Sequence, residues 1–307
     1  MPEDDHLPSE VIGTRQEPYK STCATADLAA VAAIAACAYQ PFDAKFAARN
    51  LEAARKAWLW TEKYPNVVFK NPQGVNTGEY GDSSCSDERL WAAADLWRTT
   101  GDAVYGDYFV KQYPDLGPSL DTPSPEGWKD VAVMGLWTYS LSKQQGADAT
   151  VVADIKKHTA AAGHAIVEQT RKNPYPVSLL TKDCVWGSNG VAANYGMELL
   201  VANVLVPDPA FVESAQDDLH YLLGRNTFSL SWMTQVGMNP YRHPHHRPSK
   251  ADTDDEPWPG MLSDGPNAGR QDDALKKLPQ RLPPAKEYLD DQTSYASNEI
   301  AINWQAA

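Results

Sequence analysis

Apolar residues recur at helical spacing along most of the 307-residue chain. Residues 24–40 form an apolar, alanine-rich segment that Pro41 ends, because proline cannot continue a helix. Residues 209–223 place their apolar side chains on one face, and Gly224 follows at the position where helices commonly stop. No run of alternating polar and apolar residues predicts a strand. The pattern predicts an all-α fold.

The predicted helices come in consecutive pairs joined by short loops. The pairs are 24–40 with 44–62, 126–144 with 149–171, and 188–204 with 209–223; further helices are predicted at 86–100, at 103–113 and from Tyr295. Serial helical hairpins stack as an array or close as a ring. The absence of a strict repeat period argues against a regular solenoid. We expect a single domain over residues 1–307 with about nine helices.

One long region departs from the helical pattern. Residues 225–293 are rich in Pro, Gly, Asp and His. Loops of this length are uncommon in a compact domain unless they carry function. We therefore expect the chemistry of the protein to lie in this region.

The net charge of the chain limits the kinds of molecule that it can be expected to bind. The formal net charge is −13, from 27 Lys and Arg against 40 Asp and Glu, and a chain this acidic repels phosphate backbones. Nucleic-acid binding is therefore not expected. No run of eighteen apolar residues predicts a membrane span, and the first twenty residues lack the charged and apolar regions of a signal peptide.

Aromatic residues and cysteines add two expectations. The chain has 10 Trp and 14 Tyr, whose flat faces can pack on sugar rings or fill the core. Its four cysteines fit no zinc template and are too few for a disulfide scaffold. Cys37 lies in the alanine-rich segment, where we expect a small buried side chain.

The first chemically dense segment ends at residue 247. Three histidines and two arginines lie within six residues: Arg242, His243, His245, His246 and Arg247. Such donors can hold sugar hydroxyls and steady a carboxylate. The alternatives are an adventitious metal site formed by the three histidines, or a solvated turn.

The second segment places carboxylates beside aromatic residues where the long loop meets the last predicted helix. Asp290, Asp291 and Glu299 lie here, with Tyr295 close to Glu299. Glycoside hydrolysis needs one carboxylic acid and one carboxylate on opposite sides of the scissile bond. Apolar neighbours would raise the pKa of Glu299, whereas a helix N-terminus would favour its anion. The alternative is that these acids only complement a helix dipole.

The two segments resemble the two signatures of glycoside hydrolase family nine. The first signature is matched by Ser231, Met233, Thr234, Gly237, Asn239, Pro244, His245 and Arg247, and the second by Tyr288, Asp290, Tyr295, Glu299 and Ala301. Shorter similar pieces are Tyr80–Ser83, Ser86–Glu88, Trp186–Asn189, Tyr221–Asn226, Pro259-Gly260 and Gly265–Asn267. Gln305 stands where the family usually has Asn. The resemblance covers essentially the whole chain.

The resemblance implies a fold, an activity and a set of site residues. The fold would be an (α/α)6 barrel, and the activity would be hydrolysis of internal β-1,4-glucosidic bonds in a β-glucan with inversion, outside the cell. By this resemblance Glu299 is the general acid, Asp290 supports it, His245 and Arg247 hold the sugar near the scissile bond, and Trp186 and Tyr295 contact the substrate.

The resemblance also implies a structural calcium site and no organic cofactor. The candidate ligands are Ser83, Asp87 and Glu88, because hard oxygen ligands suit calcium. The alternative is ordinary capping of the helix at 86–100 by Ser86, Asp87 and Glu88.

The main departure from the family concerns the catalytic base. The family carries it in an Asp-Ala-Gly-Asp motif near the start of its catalytic domain, and no such motif occurs in these 307 residues. The segment Met1–Asp5 resembles an internal stretch of the family. We therefore expect a chain shortened by roughly three of the twelve barrel helices at its front and by part of the last helix at its end. Two further alternatives are a non-catalytic glucan-binding protein and an exo-acting glycosidase of the same family.

Overall fold

The computed structural model describes residues 21–70, 81–117, 120, 125–252 and 254–307; Met1–Asp5 and Tyr80, quoted above, lie outside these ranges. The described residues form these helices: α1 (Thr22–Tyr39), α2 (Ala44–Lys63), α3 (Ser86–Thr100), α4 (Ala103–Leu116), α5 (Ala132–Leu141), α6 (Ala149–Lys172), α7 (Ser188–Leu205), α8 (Pro209–Leu222), α9 (Arg247–Ala251), α10 (Tyr295–Asn298) and α11 (Ile302–Ala306). Extended pairing within these ranges is limited to isolated bridges. The predicted all-α class is confirmed.

The chain divides into two compact units. Unit 1 contains residues 1–120 and 126–155, and unit 2 contains residues 121–125 and 156–307. Both signature segments lie in unit 2, and the candidate calcium ligands lie in unit 1. The expectation of a single domain stays a prediction.

Unit 1 is built around α1 and α3. Helix α1 packs against α2 and α3, and α3 also packs against α4 and α5. The buried face of α1 consists of alanine and threonine, whose small side chains let the neighbouring helices approach closely. Helix α1 is also long and apolar enough, by length and composition alone, to cross a membrane. Core helices with buried faces have the same composition.

Helix ends follow local sequence rules. The Asp43 side chain accepts from the amides of Lys45 and Phe46 at the start of α2. Asp208 caps α8 in the same way, and Pro209 occupies the first helical position, where its missing N–H costs nothing. Gly101, at φ 73°, ends α3 in a left-handed conformation that glycine adopts without strain.

Two expectations, one for a helix and one for a cysteine, need correction, and the structure also shows a disulfide that the sequence left open. The helix predicted at 126–144 is shorter, because α5 begins only at Ala132. Cys37 is exposed rather than buried, since the buried face of α1 lies elsewhere. Cys23 and Cys85 form a disulfide across 62 residues, which their spacing gave no means to predict.

In unit 2, helix α7 packs against α8. Residues of the long loop, among them Trp232, Leu262 and Tyr288, are part of one hydrophobic cluster. Trp232 is fully buried, and its ring meets that of Tyr288 edge-on with centroids 4.5 Å apart. Residues from both signature segments thus share one hydrophobic cluster. The loop region 225–293 contains only α9 and two 3-10 turns among its described residues, as predicted.

Candidate active site

The two signature segments meet at a short parallel bridge between His245 and Glu299. The amide of His245 donates to the carbonyl oxygen of Asn298 at 2.7 Å. Main-chain pairing therefore fixes the relative position of the two segments, which are more than fifty residues apart in sequence.

The Glu299 side chain contacts the ring of Trp186, which lies beside the ring of Tyr295. The indole nitrogen of Trp186 donates to Oε2 of Glu299 at 3.0 Å. The ring centroids of Trp186 and Tyr295 are 5.6 Å apart, and each of the two side chains is 38% exposed. Aromatic surface and a partly exposed carboxyl group thus occur together, as the sequence predicted.

Glu299 differs from the expectation in its position relative to the helix. Helix α10 is a single turn that ends at Asn298, and Glu299 is its C-cap residue, with extended φ −62° and ψ 157°. The predicted helix from Tyr295 is interrupted there and resumes as α11. Glu299 therefore follows the end of a single helical turn instead of standing at a helix N-terminus.

Trp304 packs closely against Gly187 and Gly190, next in sequence to Trp186. Gly187 has φ +87°, a left-handed conformation, and begins the turn into α7. A Cβ atom on Gly190 would come within 2.4 Å of the Trp304 ring, and one on Gly187 within 2.9 Å. Glycine at both positions lets α11 pack directly against the start of α7, next to Trp186.

The imidazole of His245 is held in one tautomer. Its Nδ1 lies 2.7 Å from the carbonyl oxygen of Gln292. A carbonyl oxygen only accepts hydrogen bonds, so Nδ1 carries the proton. In the neutral ring, Nε2 is then a hydrogen-bond acceptor, and the ring centroid of His245 is 6.0 Å from that of Tyr295.

Asp290 holds the segment that leads to His245. Its two carboxylate oxygens accept from the amides of Arg242 and His243, both at 2.9 Å, and the His243 ring nitrogen lies 3.3 Å from it. These contacts order the backbone of the first signature. No hydrogen bond within the described residues joins Asp290 to Glu299, and the support of Glu299 by Asp290 stays a prediction.

The remaining members of the histidine and arginine cluster point to separate partners. His246 contacts the Ser249 hydroxyl through Nδ1, whereas His243 faces Asp290 and His245 faces Gln292. The described residues therefore give the three histidines no common metal site. Arg247 is exposed at the first position of α9, and its role in holding the sugar stays a prediction.

The sequence reasoning missed two residues next to the acid. Asn298 is fully buried and accepts a hydrogen bond from the Tyr288 hydroxyl at 2.7 Å. This bond joins the residue before Glu299 to the hydrophobic cluster that contains Tyr288. Asp264 is fully buried, and its amide donates to the carbonyl oxygen of Glu299 at 3.2 Å. The position of Asp264 directly before the Gly265–Asn267 piece was the only available signal.

A second cluster of carboxyl groups lies in unit 1, at the start of α3. Asp87 and Glu88 are buried, and Asp87 accepts from the amide of Val131 at 2.9 Å. One Glu88 oxygen and one Asp27 oxygen are buried without a hydrogen-bond partner among the described residues. Burial, followed by the charge of Asp87, raises the pKa of both, to about 9 for Glu88 and about 6 for Asp27.

The geometry of this cluster fits a cation better than a helix cap. Cys85 occupies the N-cap position of α3 and makes no side-chain cap, and the Ser86 hydroxyl contacts Ser84 instead. The Cys85 sulfur near Glu88 is in the disulfide and offers no thiolate ligand. Buried, unpaired carboxylate oxygens are what a hard cation would satisfy. Ser83, the third candidate ligand, is exposed.

The whole chain matches one protein family. The sequence profile of glycosyl hydrolase family 9 matches residues 1–307. The chain belongs to glycoside hydrolase family 9. Endoglucanase D of Acetivibrio thermocellus is 36% identical over 94% of this chain, and a cellodextrinase of Butyrivibrio fibrisolvens is 31% identical over 100% of it. The predicted family is confirmed.

Solved structures of family 9 enzymes share this fold. The structure of AaCel9A in complex with cellobiose-like isofagomine matches with a TM-score of 0.86 and 37% identity over 93% of this chain. The (α/α)6 barrel class predicted from the sequence is thereby confirmed. The chain spans 53% of that structure, 43% of endoglucanase D and 56% of the cellodextrinase, so it corresponds to about half of each relative.

Proposed function

We propose that this chain carries the general-acid half of an inverting endo-β-1,4-glucanase site. Two observations at Glu299 support this most directly. Its carboxyl group accepts a hydrogen bond from the Trp186 indole, and its backbone pairs with that of His245. A partly exposed carboxyl group that accepts from an indole, next to a second aromatic ring, is suited to protonating a glycosidic oxygen while the sugar rings pack on the aromatic faces.

Each neighbour of Glu299 has a distinct task in this proposal. Glu299 gives its proton to the leaving oxygen, and the Trp186 N–H then stabilises the resulting carboxylate, because hydrogen bonds to charged groups are the stronger ones. His245 accepts from a sugar hydroxyl through Nε2. Tyr295 supplies apolar surface beside the scissile bond, and Arg247 donates to a further hydroxyl.

Inversion requires a second carboxylate that activates water on the opposite face of the sugar. The 307 residues contain no Asp-Ala-Gly-Asp motif, and we assign the base to none of their aspartates. This absence favours a second candidate function, in which the 307 residues by themselves bind glucan without cleaving it. The acid side described above serves both functions.

One set of assays separates these functions. We expect an active protein that contains residues 1–307 to lower the viscosity of carboxymethyl-cellulose before many reducing ends are released. Its first product should be the α-anomer. Glu299→Gln should remove this activity, whereas Glu213→Gln, an exposed carboxyl on α8, should not. Reducing-sugar release without an early fall in viscosity would indicate exo action. Retention of glucan binding with no hydrolysis in any preparation would indicate the binding function.

We further propose that Asp87 and Glu88, with Ser83 beside them, hold a structural Ca²⁺. The buried, unpaired Glu88 oxygen supports this, because a bound cation would neutralise the neighbouring carboxylates. Calcium at millimolar concentration should raise the melting temperature, and Glu88→Gln should remove that increase. Glu52→Gln on the exposed surface of α2 is the matched control. An equal increase in the Glu88→Gln protein would refute this site.

We also propose that the protein works outside the cell. The Cys23–Cys85 disulfide supports this location, because such bonds persist in oxidising compartments and are rare in the cytosol. Fractionation of the producing organism, with detection by an antibody to this chain, tests the location. Recovery only from the cytosol would refute it.

A further inference from the structure

A short buried segment lies between Glu299 and the start of α7. This spacer segment consists of Ser263, Asp264 and Gly265, all of them buried. The Asp264 amide donates to the carbonyl oxygen of Glu299 at 3.2 Å. The Ser263 hydroxyl and the Gly265 amide both donate to the carbonyl oxygen of Ser297, at 2.9 and 3.0 Å. These hydrogen bonds fix one side of the spacer segment to the residues that lead to Glu299.

The other side of the spacer segment is bonded to Asn189, in the first turn of α7. The main-chain amide of Asn189 donates to the carbonyl oxygen of Asp264 at 2.9 Å, and its side-chain Nδ2 donates to that of Ser263 at 2.9 Å. The Asn189 side chain is fully buried, so water does not compete for these bonds. Because Asn189 follows Trp186 by only three residues, the spacer segment connects the turn that carries Trp186 to Glu299.

The closest approach across this contact is at Gly265, which has φ +97°. A Cβ atom on Gly265 would lie 2.5 Å from Cγ of Asn189, whereas carbon atoms in contact are about 3.5–4.0 Å apart. A side chain here would therefore push the spacer segment and Asn189 apart by about 1 Å. The hydrogen bond from Trp186 to Glu299 measures 3.0 Å, and such bonds are largely lost beyond about 3.5 Å. The displacement is larger than this hydrogen bond tolerates.

We propose that Asn189 and Gly265 are positioning residues, which together fix the distance between the Trp186 indole and the Glu299 carboxyl group. The missing side chain of Gly265 allows the close approach, and the two donors of Asn189 maintain it. Two of the short pieces that resemble the family, Trp186–Asn189 and Gly265–Asn267, thereby act on the acid without either residue touching it. Only the role of Glu299 as the acid comes from the proposed function.

The indole ¹H–¹⁵N signal of Trp186 in the 307-residue chain reports on this distance, and Trp186→Phe identifies the signal. Glu299→Ala removes the acceptor and gives the position of the signal without the hydrogen bond. We expect Gly265→Ala to move the signal toward that position, because the added Cβ separates the two segments.

Gly260→Ala is the matched control for Gly265→Ala. Gly260 also has a positive φ, +79°, and its amide also donates to a carbonyl oxygen, that of Thr234 at 2.9 Å. A Cβ atom there would meet no atom of the described residues within 4 Å. The two variants therefore share the backbone strain of alanine at positive φ, and only Gly265→Ala adds the contact with Asn189. Gly260→Ala should leave the indole signal at its native position.

Kinetics of an active protein that contains residues 1–307 distinguish positioning from a general loss of structure. Trp186→Phe should lower kcat about tenfold in the native background and in the Gly260→Ala background. In the Gly265→Ala background it should lower kcat little further, because the hydrogen bond is already lost. Equal losses in all three backgrounds would show that Gly265 acts independently of the Trp186 hydrogen bond, and would overturn its positioning role.

A second pair of variants covers the case in which Gly265→Ala does not fold. Asn189→Ala removes the bond to Ser263 and also the three atoms nearest to a Cβ at position 265. We expect Asn189→Ala to displace the indole signal, and the Asn189→Ala, Gly265→Ala double variant to displace it no further.

A native signal in Gly265→Ala or in Asn189→Ala would overturn the positioning role of the residue that was changed. A further displacement in the double variant would show that the Cβ acts through a contact other than Asn189, and would overturn the role of Gly265. Displaced signals in a protein without hydrolytic activity would support both positioning roles and refute only the proposed function.

Discussion

The indole nitrogen of Trp186 donates a hydrogen bond to Oε2 of Glu299 at 3.0 Å, across 113 residues of sequence. The resemblance gave Trp186 the task of stacking against sugar. The geometry adds a second task, because the same ring also contacts the carboxyl group that is proposed to move the proton. In this proposal, the face of the Trp186 ring packs on a sugar while its N–H donates to the Glu299 carboxyl group.

Trp186→Phe separates these two tasks. Phenylalanine keeps an aromatic face but removes the donor, so the Glu299 carboxylate left after proton transfer loses stabilisation. We expect kcat to fall about tenfold, equivalent to about 1.4 kcal/mol, with KM nearly unchanged. Trp186→Ala should raise KM as well. Equal kinetics for Trp186→Phe and the native protein would show that the hydrogen bond has no role in turnover.

His245 should be found as the Nδ1–H tautomer whenever its ring is neutral, because Nδ1 faces the Gln292 carbonyl oxygen. Long-range ¹H–¹⁵N spectra of the ring distinguish the two tautomers, and His245→Gln assigns the signals. A neutral ring with its proton on Nε2 would contradict the predicted acceptor for a sugar hydroxyl.

Asp290→Ala should loosen the backbone ahead of His245. Its oxygens accept from the amides of Arg242 and His243, and a hydrogen bond to a charged group is typically worth about 1.5–3 kcal/mol. We expect hydrogen exchange at these two amides to speed up by at least about tenfold. Asp291→Ala, which removes a carboxylate bonded to Thr293, is the matched control and should leave both amides protected. Unchanged exchange in Asp290→Ala would show that other contacts hold the segment.

Asp218 should make unit 2 less stable at neutral pH than at mildly acidic pH. The side chain is 1% exposed, and burial raises its pKa to about 7 against the opposing bonds from Ser178. The folded state then holds a proton that the unfolded state releases above pH of about 4, so the free energy of unfolding falls between about pH 4 and 7 and is level above that. The contribution is up to about 4 kcal/mol. Urea unfolding followed across this range should show a smaller pH dependence in Asp218→Asn; an identical slope would contradict the assignment.

Reduction of the Cys23–Cys85 disulfide should destabilise unit 1. The bond closes a loop of 62 residues, for which restriction of the unfolded chain is worth about 4 kcal/mol. We expect the melting temperature of the Cys23→Ser, Cys85→Ser double variant to match that of the reduced native protein and to lie below that of the oxidised one. Cys37→Ser, which removes the exposed thiol of α1, should change nothing. Equal melting temperatures before and after reduction would count against a stabilising role.

Periodicity and local chemistry were enough to predict most of the helices. Helices α2, α7 and α8 begin and end within one or two residues of the predicted ranges, because each has an apolar face together with a capping or breaking residue nearby. The family was also predictable, since its two signatures are stretches of consecutive residues with fixed spacing. Glu299 and His245 followed from those stretches, and Trp186 followed from the shorter similar piece Trp186–Asn189.

The tertiary structure decided the features that depend on distant residues. The break in the last helix at Glu299 arises where its backbone pairs with His245, and the approach of Trp304 to Gly187 fixes the turn beside Trp186. The Cys23–Cys85 disulfide and the burial of the Asp264 side chain likewise depend on which segments come together. Sequence periodicity reports only which face of an element is apolar. Hydrogen bonds, burial and interactions between charges depend on residues that are distant in sequence. Those residues come together only once the chain has folded.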